Sequence, residues 1–323
     1  MVSFGGGGGQ SQILSGIKNI DFIDITALCT ASDSGGSTGI MRKEYGVGGY
    51  LGDVSKCLWA LSDKKKIENT LMHRFEKGFL KGHSMRNILY SALIEIHGEK
   101  EALELMHKIF GINRHRVFPV TFEKTSLQVK LKSGQTISGE TYIDTISRNH
   151  LWEPERNRII AAQLSPSVNI YSEVEKKIEE ADYIVICPGD LFTSVVPSLL
   201  PNGVSKAIKK SKAKIILITN IMTKLGETDG YNVINFVQEI NRYLSGKTPD
   251  YVISNNGKIP KELLEKYKIR EHKVSAVLSD NIIPGSMLMA SDLWTKDNKG
   301  HIRHDSDKVA EILKKIFETN LKN

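Results

Sequence analysis

The 323 residues, 40% hydrophobic and 25% charged, can bury a large core and exclude a wholly disordered chain. No apolar run approaches the roughly 20 residues of a spanning helix, and no charged-then-apolar leader precedes the N-terminal glycines, so a cytoplasmic protein without a membrane span is expected. The net charge of +7 arises from lysines mixed with acids, as in "EVEKKIEEAD", and only 7% of residues are aromatic; this argues against nucleic acid and for a field that attracts an anionic small ligand.

In chain order, "VSF" reads as a strand and the amphipathic "QSQILSGIKNI" as a helix, so Gly5, Gly6, Gly7, Gly8 and Gly9 occupy a strand-to-helix turn. Glycines there let a phosphate approach the backbone, and the N–H groups of the helix start favour the anion. The P-loop lysine is absent and the dinucleotide spacing is imperfect. A second strand, "ITALCTA", runs into "CTASDSGGSTG". Ser37 and the N–H groups of Gly35 and Gly36 suit phosphate oxygens there, while Asp33 suits a ribose hydroxyl, a substrate hydroxyl or a metal. In "LGDVSKCLWAL", Asp53 stands at the start of a helix running to Leu61. It reads as an N-cap, and also as a Mg²⁺ ligand or proton acceptor beside Lys56.

From residue 72 to 110 the pattern is helical throughout. In "KGHSMRNILYSAL", His83 and Ser84 precede a helix whose first turn carries Arg86 and Asn87. These donors can meet an anion or a base edge, although Ser84 also suits a cap and His83 simple packing. Between 117 and 164 the period becomes two, and "SLQVKLKSG" meets "QTISGETYI" at Ser133-Gly134 as a hairpin. Residues 72–164 therefore read as a helical and β-hairpin insertion within one domain spanning 1–323.

After it, "YIVI", "IILITN" and "PDYVISNN" read as buried parallel strands. The loops behind the first two are longer and more polar than a connection requires. One carries Gly189, Asp190, Thr193 and Ser194; the other carries Asn220, Thr223, Glu227 and Asp229. The final "DSDKVAEILKKIFETN" reads as a capped helix. Cys29, Cys57 and Cys187 have no paired spacing and read as buried thiols. The whole is an α/β fold, a Rossmann-like doubly wound, mainly parallel sheet with a helical layer and a small antiparallel β elaboration, and it gathers these polar strand ends on one edge.

Six segments in this order, "FGGGGGQSQILSGIK", "ITALCTASDSGGSTGIMRKE", "LGDVSKCLWAL", "GHSMRNILYSAL", "ADYIVICPGDLFTSVVPSLL" and "TNIMTKLGETDGY", resemble the CofD/YvcK family, whose members include 2-phospho-L-lactate transferase and the gluconeogenesis factor. The last two, with the second turn, are closer to the gluconeogenesis-factor branch. The resemblance implies a nucleotide-binding fold and, by branch, two different jobs. One is Mg²⁺-dependent transfer of a phospholactyl group from a guanosine diphosphate-type donor to a deazaflavin hydroxyl. The other is binding of nucleotide diphosphate-sugars, linked to carbon metabolism and cell-wall morphogenesis.

The sequence departs from the family pattern in several places. Ser55 and Lys56 stand where arginine and asparagine follow the Gly-Asp pair, and Ser34 replaces the second acid of Asp-Asp-Gly-Gly. Gly8 replaces a threonine, and Arg86 a glycine after the His-Ser pair. The expected function is binding of a nucleotide diphosphate or nucleotide-sugar, with a regulatory role. The alternative is a Mg²⁺-dependent phosphoryl- or phospholactyl-group transferase, with Asp33 and Asp53 as metal ligands or base and with Lys56 and Arg86 stabilising charge. A dinucleotide oxidoreductase is disfavoured, because a glycine-serine loop rather than an acid closes the second strand. A homo-oligomer is left open.

Overall fold

Short aliphatic runs buried on both faces pair in parallel, and here they build one seven-stranded sheet. A computed structural model describes residues 1–63, 70–146, 157–271, 275–278 and 282–321. The strands of the main sheet are β1 (Val2–Gly5), β2 (Thr26–Cys29), β3 (Arg116–Pro119), β7 (Tyr183–Ile186), β8 (Lys214–Ile218), β9 (Tyr251–Asn255) and β10 (Met287–Ser291), in the order β10-β9-β8-β7-β1-β2-β3. All neighbours are parallel. The chain moves outward from β1 through β2 to β3, then returns to the other side of β1 and moves outward again from β7. That reversal opens a crevice at the carboxyl ends of β1 and β7.

Helix α1 (Gly7–Ile17) connects β1 to β2 and buries Ile13, Leu14 and Ile17 against the sheet. Between β2 and β3 lie α2 (Gly36–Tyr45), α3 (Leu51–Leu61), α4 (Met85–His97) and α5 (Glu99–Phe110). The helical pattern of "EALELMHKIF" corresponds to α5, whose Ala102, Leu103, Met106 and Phe110 face inward. β3 differs from the sequence reading. Its residues were expected in the antiparallel elaboration, yet they pair with β2 as an edge strand of the main sheet. Four residues with three fully or nearly buried look the same from sequence in either setting.

The antiparallel elaboration has the order β5-β4-β6, from β4 (Ser126–Leu131), β5 (Thr136–Ser138) and β6 (Ile159–Ser165). Its hairpin turns at Gly134, with φ +90°, which favours glycine. Past Gly139 the "ETYI" stretch forms helix α6 (Glu140–Ile146) instead of prolonging the strand. Two further helices, α7 (Ser172–Glu179) and α8 (Val204–Lys210), flank β7, and α9 (Val233–Asn241) and α10 (Lys261–Glu271) follow β8 and β9. A two-stranded ribbon, β11 (Trp294–Lys296) and β12 (Ile302–His304), precedes the last helix, α11 (Ser306–Leu321). The expected cap is present: Asp305 Oδ1 accepts from the N–H groups of Asp307 and Lys308 at 3.1 and 3.2 Å. All three cysteines are free and buried. No helix among the described residues is long and apolar enough to cross a membrane.

Helices α1 and α11 touch at Gly16, where a Cβ would lie 2.3 Å from the Ser306 carbonyl oxygen. Gly16→Ala is therefore expected to force the two helices apart and cost about 1–3 kcal/mol. Urea unfolding checks this; a variant as stable as the parent would show that the contact relaxes freely.

Candidate functional site

The turn between β1 and α1 is shaped by what lies on either side of it. A Cβ on Gly7 would stand 2.6 Å from Asp53 Oδ1 and 2.8 Å from Lys56 Cδ, on α3. One on Gly9 would stand 1.9 Å from the Pro188 carbonyl oxygen, in the loop after β7. Gly8, by contrast, faces open space, with nothing within 4 Å. The N-cap Gly6 brings no side chain to the helix start, and the first turn of α1 holds no acid. Its leading N–H groups therefore keep their capacity for an anion.

On the β7 side lies a cavity of about 330 Å³, within the roughly 300–1,000 Å³ typical of small-molecule sites. The glycine turn forms one wall; Gly189 and Ser194 after β7, Asn220 after β8, and Arg303 and His304 of β12 are among the residues that form the others. Asn220 is occupied structurally, since its amide accepts from the Gly189 N–H at 3.1 Å and donates to the Gly189 carbonyl at 2.7 Å. His304 Nε2 donates to the Thr219 carbonyl at 3.1 Å, and burial pushes its pKa down to about 4, so the ring is neutral. The sequence reading did not include Gln12, Met222 or the β12 residues, which line this cavity. Only a basic residue beside two histidines in "HIRHD" hinted at them.

Four expected site residues lie elsewhere. Glu227 accepts from the Phe192 N–H at 2.8 Å and from Thr193 Oγ1 at 2.9 Å, fixing the π turn Leu191–Val195 from behind. Lys224 Nζ, itself buried, lies 2.8 Å from both Glu227 and Asp144 and also pairs with Asp190. Thr223 Oγ1 bonds the Ser275 carbonyl at 3.2 Å, and Asp229 accepts from the Gly226 N–H at 2.7 Å. Thr193, Thr223, Glu227 and Asp229 are thus engaged in holding loops, whereas Gly189, Asp190, Ser194 and Asn220 line the cavity.

The opposite flank of the turn gathers the remaining residues. The N-cap reading of Asp53 is corrected: the helix begins at Leu51 with Tyr50 at the cap, which moves Asp53 to the third position, where its Oδ1 meets Lys56 Nζ at 3.1 Å. Asp33 Oδ1 accepts from the Gly35 N–H at 2.8 Å. Burial, and then the charge of Asp53, push the Asp33 pKa up. Glu140, absent from the sequence reading, is hydrogen-bonded to Asp33 and accepts from the Ser34 N–H at 3.1 Å. Burial and the neighbouring Asp33 push it up to about 9, so it keeps its proton at neutral pH.

Ser37 Oγ lies 3.1 Å from His83 Nδ1 and accepts from Asn87 Nδ2 at 3.3 Å. Ser84 occupies the N-cap of α4 but makes no capping bond, because the Asn87 N–H that a cap would use turns tightly onto the Ser84 carbonyl. Gly35 and Gly36 start α2 beside this cluster, with Gly36 at φ +45°.

Against known proteins, a family model described as 2-phospho-L-lactate transferase CofD matches residues 1–293. A Thermotoga maritima protein is 36% identical over 98% of each chain. The gluconeogenesis factor of Bacillus subtilis is 33% identical over 96% of this chain and 95% of its own. A crystal structure of a UPF0052 family member from Bacillus halodurans superposes with a TM-score of 0.87 at 32% identity, covering 96% of this chain and 98% of that one. β12, which closes the cavity, lies beyond the residues the family model matches.

The neutral His304 makes stability depend on pH. Unfolded, the ring takes up a proton near its ordinary value of 6.5, and folded only near 4. Its contribution is thus complete above about 6.5 and is lost as pH falls toward 4. Lowering pH from 7.5 to 5 should cost about 2 kcal/mol through this ring alone. Denaturant unfolding at both pH values should show a smaller loss in His304→Gln, which retains a donor for Thr219; equal losses would remove His304 as the cause.

Proposed function

The chain belongs to the CofD family, and from that premise we propose that it binds a nucleotide diphosphate or nucleotide-sugar in the cavity between β1 and β7. The observation that carries this reading is the uncapped, acid-free start of α1 opening into that cavity, with Gly8 leaving space for a diphosphate and Arg303 on the far wall. The helix start supplies N–H donors to phosphate oxygens, and a guanidinium adds charge-assisted contacts to the same group. The gluconeogenesis-factor name of the Bacillus subtilis relative supports a regulatory role in carbon metabolism. The branch resemblance extends that role to cell-envelope morphogenesis.

The second reading, group transfer, is favoured by the carboxylates on the other flank of the same turn. Mg²⁺ is commonly held by one or two carboxylates, with phosphate oxygens and water completing its shell. Asp33 and Asp53 supply that number, and the charge of Asp53 that disfavours ionisation of Asp33 is what a cation would offset. Bound there, Mg²⁺ would neutralise diphosphate oxygens. Asp33 would accept a contact from an incoming hydroxyl, and Lys56 would hold Asp53 in place.

Calorimetric titration with UDP-sugars and GDP, with and without Mg²⁺, tests the first reading. Gly8→Leu places a side chain at the open point, where a Cβ meets nothing within 4 Å, so it should abolish binding while leaving the melting temperature of the free protein unchanged. Arg303→Ala should weaken binding by about 10- to 100-fold, the loss of one charged hydrogen-bonded contact. Full affinity in a folded Gly8→Leu protein would sink the cavity assignment.

The enzyme reading is separated by following nucleotide release from a phospholactyl-guanosine donor or nucleotide-sugars with alcohol acceptors. Release that vanishes in Asp53→Asn while binding persists establishes transfer, since such contacts act mainly in the transition state. Saturable binding with no release from any donor leaves the binding reading.

A further inference from the structure

Arg86 is only 4% exposed, yet its charge has no anionic partner among the described residues. Its Nε is buried without a hydrogen bond, and one terminal nitrogen rests against the Met72 thioether, a poor acceptor. Among the described residues no carboxylate forms an ion pair with it, and Asp53 acts on it only from a distance. A guanidinium withdrawn from water is costly unless an anion meets it.

The surroundings add positive charge. Arg74 is bridged to Ser84 as a β-pair and lies close enough that, after burial, it is the next cause lowering the Arg86 pKa, to about 10. Arg86 therefore remains charged at neutral pH. The Ser84 hydroxyl is buried and has no partner either. Lys56 stands near enough to sense Arg86.

We propose that Arg86, Arg74 and the Ser84 hydroxyl form a second anion subsite, on the α3–α4 flank of the glycine turn, that takes the phosphoryl group of a small phosphorylated compound distinct from the nucleotide. Arg74 Nη1 already donates to the Gly82 carbonyl, but the other nitrogens of the two guanidinium groups and the Ser84 hydroxyl offer donors to the terminal oxygens of a phosphoryl group, more than a carboxylate can use. The subsite does not depend on the nucleotide reading, because none of Arg86, Arg74 and Ser84 lines the β1–β7 cavity.

The test uses the full chain in phosphate-free buffer, titrated with inorganic phosphate and with phosphoglycolate by calorimetry. In the Gly8→Leu background, which blocks the cavity, saturable binding should persist. Adding Arg86→Met should weaken it at least tenfold, and Arg74→Ala, an exposed change that spares the fold, should weaken it severalfold. The proposal is overturned if phosphate binds Gly8→Leu/Arg86→Met and Gly8→Leu/Arg74→Ala as well as it binds Gly8→Leu. It is equally overturned if Gly8→Leu alone abolishes phosphate binding, which would put the anion in the cavity, or if the parent binds neither probe. Should the Arg86→Met protein not fold, the Arg74→Ala comparison decides.

Discussion

The architecture of the site depends on one close approach, the passage of the β1–α1 turn between the start of α3 and the loop after β7. Neither wall leaves room for a Cβ at Gly7 or Gly9, and the obstacle at Gly9 is a backbone carbonyl that cannot rotate aside. Because the turn is squeezed from both sides, it acts as a partition. One face looks into the cavity at the sheet's switch point, and the other looks onto Asp53 and Lys56. The side chains of both flanks are positioned relative to this thin wall, and only Gly8 at its tip is free to admit a ligand group.

Helix α6 ties the antiparallel elaboration to both flanks. At its start, Glu140 meets Asp33 and the Ser34 N–H, and Thr141 Oγ1 lies 3.2 Å from Ser34 Oγ. Farther along, Asp144 reaches Lys224, which in turn binds Asp190 and Glu227 behind the cavity. A buried lysine surrounded by three carboxylates is tolerable only if all are held together, since removing one partner strands the others. The small sheet therefore does more than decorate the domain: it delivers an acid to each of two loops that emerge from different strands.

The parts legible in sequence were those set by local rules. A glycine run after a buried strand and before an amphipathic helix can be little else than a tight strand-to-helix turn, and the structure has it there. The aliphatic runs of β7, β8 and β9 and the aspartate cap of α11 were similarly self-announcing. What could not be read depends on contacts far apart in the chain. Glu140 sits 106 residues from the Ser34 N–H it meets, and Gln12 reaches the carbonyl of His304 across 292 residues. The bracing by Glu227 and Thr193 is equally hidden, because buried polar side chains that brace a loop have the same composition as those that grip a substrate. Their role emerges only when their hydrogen bonds are seen to be spent on each other and on the Phe192 N–H.

Of the departures from the family pattern on the partition's acidic flank, Ser34, Lys56 and Arg86 make it more positive, and Ser55, in place of an arginine, makes it less so. Lys56 places an ammonium group 3.1 Å from Asp53, and the charge of Asp53, outweighing burial, raises the lysine's pKa so that the ammonium stays charged. Arg86 adds a second fixed cation nearby. A diphosphate or phosphoryl group meeting this flank thus finds protein-borne positive charge in positions where an asparagine and a glycine would have offered none. A fixed cation that meets an anion equally in the ground and transition states strengthens binding without accelerating a reaction. The residues by which this chain differs from its family pattern consequently add more to holding an anion than to transforming it.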